Sequence, residues 1–470
     1  MKNIKQLTLQ IINRVNANLS GFGFDTGIFT LNAIEYDKLA KFYSSYGITA
    51  RHPINFHFKH SNMAGSYFLG NCYVGRSIIY KSDIRGDELK RKGDIFDRKN
   101  PVPLLKDETI AITYSLLYKT LVHSNSHNPE TPEEFTIRNT VSAHYANIHG
   151  STIAGCFLGA FSTIDLMNLH SCIVGEFSYI QTGELFHTKI EPGIVWVKSD
   201  DFEFRYQFPE DVLDKYIGVN GHFQPRGIIY KFVKELEPGY EEIFALVNLE
   251  GIKTPKTSAV NRYAVIKGKT EIGGNVLVSQ RAYLDNADMG DGSNAQENTY
   301  IINSKLAGFN ITAHGGKIIN ADMGLHVFVG FNSFLHGRED ARLTVGRECI
   351  IMPHTIIDIK APLSIPDNHL VWGFIKSEKD LKLNSIPLEE LGRSKGPLKM
   401  GRMIFKGNGG RFIKAFSSRI EHILEGNGAF FDGKGKRGHA QDDKNISFNT
   451  IQPYTSGDNA GIYPSIRIKP

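Results

Sequence analysis

The sequence predicts a mainly β fold: a left-handed parallel β-helix of six-residue repeats, arranged as two β-helix blocks with N-terminal and C-terminal helices. Three observations predict it. Aliphatic residues recur at six-residue spacing over long stretches. Several of them are followed directly by glycine, as in Leu158-Gly159, Val174-Gly175, Ile272-Gly273, Val329-Gly330 and Val345-Gly346. Glycine is abundant, 46 residues against 18 prolines, which implies many tight turns.

Each segment follows from its own spacing. Residues 1–60 form an N-terminal helical segment. There Ile4, Leu7, Ile11, Val15 and Leu19 fall at three- and four-residue steps, one face of an amphipathic helix that docks on a larger body or a neighbouring subunit. The first block spans 61–200. Leu69-Gly70 and Val74-Gly75 open it, and Ile148, Ile153, Leu158, Ile164, Val174 and Ile180 continue it at spacings mostly of five or six. Residues 88–140, with Pro101, Pro103, Pro129 and Pro132, break the repeat and read as an insertion. The repeat is lost again over 201–257, where 209–217 and 228–247 look helical or mixed, a linker or inserted subdomain. The second block, 258–376, keeps the cleaner register. Ile266, Ile272, Val278 and Leu284 are spaced by sixes, as are Val329 and Leu335, and Val345, Ile351 and Ile357. A period of six suits a triangular coil with three short strands per turn, an aliphatic pointing inward at each face and Gly or Asn turning each corner, where φ is positive. Stacked coils then share one core. In 377–470, Ile413, Phe416, Ile420 and Leu424 mark a C-terminal helix stopped by Gly426, and an irregular tail follows from about 427.

Composition excludes several classes. The net charge of +5 on 470 residues is small, and its densest cluster is Lys90-Arg91-Lys92, so no nucleic-acid partner is expected. No run of 18 apolar residues exists, and no membrane partner is expected. The N-terminus lacks the apolar core of a signal peptide. Cys72, Cys156, Cys172 and Cys349 lie far apart with no C-x-x-C pair, which reads as buried free thiols in a reducing, cytoplasmic setting.

The chemistry-bearing stretch is Ser142-Ala143-His144-Tyr145-Ala146-Asn147-Ile148-His149-Gly150, with two histidines five residues apart inside one coil. Upstream lie Ile84-Arg85-Gly86-Asp87-Glu88 and Leu121-Val122-His123. In this order the elements resemble the γ-class carbonic anhydrases of the hexapeptide-repeat superfamily, over roughly 65–195 and more loosely 262–375. The resemblance implies a homotrimer with a zinc (or similar divalent metal) site held by His123 and His149 of one chain and His144 of the next. Three imidazoles leave the fourth position of tetrahedral zinc open, and the metal lowers the pKa of bound water to about 7. It further implies an Arg85–Asp87 ion pair at the subunit boundary, with Asp87 also able to orient an imidazole and Glu88, Glu130, Glu133 or Glu134 able to shuttle protons. One position departs from the family: Leu117 stands where relatives carry a Gln that holds the metal-bound hydroxide, with Tyr114 and Tyr118 as substitutes. The second block resembles a decayed copy. Arg281, the Gly290-Asp291 turn, Gln296 and His314 are present, but Ile302 and Ile319 stand in the places of the first and third histidines.

Three functions stand open, the first two acting on a small-molecule substrate. The first is a carbonic-anhydrase-type metalloprotein hydrating CO2. The second is a hexapeptide-repeat acyltransferase, metal-free, using acyl-CoA or an acyl carrier with one of His144, His149, His170, His187 or His314 as general base. The third is a non-catalytic trimeric scaffold. Metal content separates the first two.

Overall fold

In a three-residue strand only the middle side chain points to one face, and its two neighbours point to the other. The computed structural model, which describes residues 2–31, 34–49, 52, 55–97, 101–218, 225–245 and 253–469, uses that alternation throughout. Through the coils, successive short strands fall on successive faces, and a strand pairs in parallel with the third strand after it. The chain is therefore mainly β with parallel sheets and a few helices. It divides into two compact units, one of residues 1–194, 213–228 and 446–470, the other of 195–212 and 229–445.

In the first unit one face is built from β1 (Asp83–Arg85), β2 (Leu121–His123), β3 (Asn147–His149), β4 (Thr163–Asp165) and β5 (Tyr179–Gln181), paired in that order. The middle residues Ile84, Val122, Ile148, Ile164 and Ile180 stack inward with 0% exposure. Each such burial contributes about 1.5–3 kcal/mol. Outward-facing third positions therefore form a second file: Arg85, His123, His149, Asp165 and Gln181. The core of the second unit repeats the scheme with Leu284, Ile301, Ile318, Leu335 and Ile357.

The two units differ in turn length. Partners in adjacent coils of the first are 16 residues apart, as between His149 and Asp165. In the second they are commonly 17 apart. A shortened corner explains why spacings of six hold in the second block and slip to five in the first. The expected interruption over 88–140 is narrower in the structure. Strands Thr109–Thr113, Leu116–Tyr118, β2 and Glu134–Arg138 lie inside it and pair in register with their neighbours. Loops of unequal length break the count there, while the coil continues.

Corners also depart from expectation. The second unit turns at many corners on asparagines with positive φ, including Asn275, Asn286, Asn298, Asn320 and Asn332, and at others on Arg281, Phe309, His326, Glu348 and His354. One corner of the first unit instead carries Lys81, Lys119, Tyr145, Phe161 and Phe177. Left-handed backbone costs such residues roughly 1–2 kcal/mol each. Contacts along the corner offset it: the Tyr145 and Phe161 rings stack at 5.2 Å, and the Lys119 ammonium lies 5.4 Å from the Tyr145 ring.

Helix α1 (Lys2–Asn18) buries Ile4, Leu7, Ile11, Ile12 and Val15. Helix α2 (Ile228–Ala245) sets Phe232 against Tyr300 and Phe334; the expected helical stretch ran to Val247, which lies outside the described residues. Helix α3 (Gly409–Gly426) begins with an Asn408 side-chain cap and packs Phe412 against Phe204 and Phe405. The tail expected to be irregular is partly ordered. Ser447–Ile451 adds antiparallel to Ser44–Ile48, and Ile466–Ile468 to Phe56–Lys59. All four cysteines are free and buried. Among the described residues no helix is long and apolar enough to cross a membrane.

Candidate functional site

The outward file on β1–β5 sets consecutive polar side chains one strand spacing apart, close enough to interact directly. Arg85 is ion-paired with Asp87, and both are buried. Next on the file, His123 Nε2 lies 3.3 Å from Asp87 Oδ1 and 3.9 Å from Glu88 Oε1. The Ser124 hydroxyl donates to Glu88 Oε2 at 2.9 Å. The His123 and His149 rings meet edge to face at 5.2 Å between centroids, with ring nitrogens within 4.8 Å of one another.

His149 is held from the other side. Its Nδ1 lies 2.9 Å from Asp165 Oδ1, and Asp165 has no solvent exposure. The Tyr179 hydroxyl donates to the other oxygen of Asp165 and lies 3.2 Å from Gln181 Oε1. A buried carboxylate against Nδ1 selects the tautomer protonated there and leaves Nε2 as the basic, ligating nitrogen. Gly150 follows with φ 60°, in the left-handed region. A Cβ there would come within 2.7 Å of His127 and 2.8 Å of Leu166, so glycine lets the chain turn tightly beneath His149.

Two loop regions flank the file, 86–97 with 101–108 and 124–133, and Glu108 joins them. Its carboxylate accepts the backbone N–H of Lys90 at 3.1 Å and that of Ser126. Burial pushes this carboxyl up to about 7.

Of the residues singled out in the sequence, Arg85, Asp87, Glu88, His123 and His149 come together. His144 does not join them within the chain. It sits at the coil corner before β3, fully buried, its ring 4.4 Å from that of Tyr118. Leu117 is the inward residue of its strand and fully buried, so that position cannot face the histidines. Tyr114 lies 3.9 Å beneath the Arg14 guanidinium. Glu133 accepts from the Leu105 N–H, and Glu134 pairs with Lys106, so both brace loops. The Glu130 N–H donates to Asn128 Oδ1 at 3.1 Å. His170 stacks on Phe186 at 4.8 Å and His187 lies near Phe22, both elsewhere on the coil.

In the second unit His314 Nδ1 lies 2.7 Å from Glu297, both buried. Ile302 and Ile319 occupy outward third positions equivalent to those of His123 and His149. Asp165 and Tyr179 were missed by sequence reasoning. Their signal was available: Asp165 lies one 16-residue turn after His149.

The donors fit a divalent cation in type. His123 and His149 offer imidazoles within reach of one another, and Asp87 adds a carboxylate.

The family model for a hexapeptide repeat including loop matches residues 100–221. A solved structure described as "putative acetyltransferase from Desulfovibrio desulfuricans G20" is similar to the whole chain. It is 53% identical, with a TM-score of 0.93, covering 100% of this chain and 99% of that one. No curated protein matches the sequence.

Proposed function

Because this chain belongs to the hexapeptide-repeat superfamily, we propose that it is an acyltransferase of that fold with His149 as its general base. We read its coils as left-handed. The observation that carries the reading is the chain of contacts from His149 through buried Asp165 to Tyr179. Its support from outside is the acetyltransferase description of a relative that is 53% identical over the full length.

The chemistry runs through His149 Nε2. That nitrogen takes the proton from an acceptor hydroxyl or amine as the acceptor attacks the carbonyl carbon of an acyl thioester. The tetrahedral adduct collapses, the C–S bond breaks, and the imidazolium returns its proton to the leaving thiolate. Asp165 keeps Nδ1 protonated and stabilises the imidazolium while it exists. Arg85, Asp87 and Glu88 set the polar wall beside it. The test is release of free thiol from acetyl-CoA with a panel of small amines, alcohols and amino sugars. His149→Ala is expected to lower the rate by about 10²–10⁴-fold. Absence of thiol release by the wild type with every acceptor class would overturn the reading.

A second reading, a γ-carbonic-anhydrase-like metal site, is favoured by one observation: His123 and His149 bring ring nitrogens within 4.8 Å, each beside a carboxylate. A bound divalent ion would supply a Lewis acid and an activated water. In this reading the homotrimer supplies His144 from the neighbouring chain, or Asp87 serves as third donor. Metal content separates these: loss in His144→Ala supports the intersubunit set, and loss only in His123→Ala and His149→Ala supports the one within the chain. Light scattering should give three times the 52.6 kDa chain mass for the trimer.

A further inference from the structure

Helix α1 lies along a coil corner of the first unit whose successive residues, His60, Arg76, Tyr114, Asn139 and Gly155, all have positive φ. At most of this seam helix and corner touch. The Arg14 guanidinium covers the Tyr114 ring at 3.9 Å and reaches Asn139 at 3.5 Å, and the Asn18 side chain fills the space a Cβ on Gly155 would take. Towards the start of α1 the seam opens. A cleft of about 220 Å³ separates the helix from the corner at His60 and Arg76, with the C-terminal segment as its third wall.

The cleft's chemistry is one-sided. Arg76 and His60 come from the corner, the amides of Asn3, Gln6 and Gln10 from α1, and that of Asn459 from the C-terminal segment. Leu7 and Ile462 supply the apolar surface, and no carboxylate lines it. Among the described residues no carboxylate is paired with Arg76. Asn3 and Asn459 are bonded to each other at 2.6 Å, so helix and tail are already joined at its rim. A guanidinium offers a planar fork of donors suited to carboxylate or phosphate oxygens, and amide N–H groups extend that donor set without adding charge. The volume is room for about seven waters at ~30 Å³ each, enough for a small organic body carrying the anion.

The geometry points to a binding site for a small organic anion, carboxylate or phosphate, in the cleft between α1, the Arg76 corner and the Asn459 segment. Arg76 takes the anion, and the amides take its further oxygens. By touching three segments distant in sequence, the ligand fastens the N-terminal helix and C-terminal segment to the first coils. This site is separate from the His149 file and does not depend on the reaction assigned there.

The experiment is calorimetric titration of the full chain with succinate and with inorganic phosphate at constant ionic strength. Saturable binding of one or both is expected, with succinate alone marking a carboxylate site and phosphate alone a phosphate site. Arg76→Gln should weaken binding at least tenfold. Gln6→Glu, which sets a carboxylate in the cleft, should weaken it as well. Both side chains are exposed, so neither change should disturb folding. Binding of neither probe, or binding unaltered by Arg76→Gln, overturns the assignment.

Discussion

At the residue scale, His149 and Lys317 illustrate opposite uses of burial. Asp165 is fully buried but shared between an imidazole and a tyrosine hydroxyl, so its charge stays engaged. Asp165→Asn keeps the shape and removes the charge. It should lower thiol release by about 10²-fold or more, because the imidazolium loses its counter-charge and the amide can donate to Nδ1, favouring the wrong tautomer. The check is the rate at saturating acetyl-CoA beside that of His149→Ala. Lys317 is buried in the second unit, where its ammonium donates to the Gly315 carbonyl at 2.5 Å. Burial holds it down to about 7, against 10.5 ordinarily. A depressed pKa means the folded state resists the proton that the unfolded chain binds. Stability is thus greatest above about 10.5, falls as pH drops from there towards about 7, and levels off below about 7, where both states hold the proton. Lys317→Met, similar in length and uncharged, should stabilise the protein, and more so near pH 7 than near pH 10. Urea midpoints at the two pH values give the measurement, and an equal effect at both would contradict the assignment.

At the element scale, three-residue strands decide little alone, and the stacking of their neighbours decides almost everything. A single inward Ile or Val per strand supplies the core, so any face can carry polar residues outward without loss of the inward file. Helix α1 has a different requirement: it must fit a corner of fixed shape. Gly155, with φ 69°, sits beneath Asn18, and a Cβ would come within 2.6 Å of that side chain. Gly155→Ala should destabilise the protein by at least about 1–2 kcal/mol from the left-handed backbone alone. The added steric part should be relieved in the Asn18→Ala/Gly155→Ala double variant, while the backbone part remains. Thermal unfolding of the single and double variants reads both parts, and equal losses would mean that Asn18 does not press on the corner.

At the scale of the whole molecule, the first unit must protect open sheet edges. An exposed edge strand offers unpaired N–H and C=O groups to any other chain. Residues 446–470 answer this by adding Ser447–Ile451 and Ile466–Ile468 to two of its sheets. Deletion of 446–470 should therefore cause concentration-dependent association while the coil signal in circular dichroism persists. Size-exclusion chromatography with light scattering, compared with the full chain, tests it; an unchanged mass would show the edges need no cover. The same edge logic explains why the tail departs from expectation. Its sequence has no period of its own, and its strands exist only because a partner edge awaits them.

What the sequence determined by itself was the repeat and its inward files. Spacings of six in Ile266, Ile272, Val278 and Leu284 require a three-faced coil, since burial of a recurring aliphatic is a local property visible in one dimension. It also marked Arg85, His123 and His149, which converge through their shared outward position, and Asp87 and Glu88, which reach His123 from the loop after β1. The tertiary structure decided the rest. Asp165 and Tyr179 carry no local motif of their own: one 16-residue turn sets Asp165 beside His149, and the following turn brings the Tyr179 hydroxyl to Asp165. The inward place of Leu117, the coil hidden within 88–140, the ring-lined corners and the sheet-capping tail were beyond reach of the sequence. Turn length and loop length set which side chains become neighbours, and neither is encoded in the residues that end up touching.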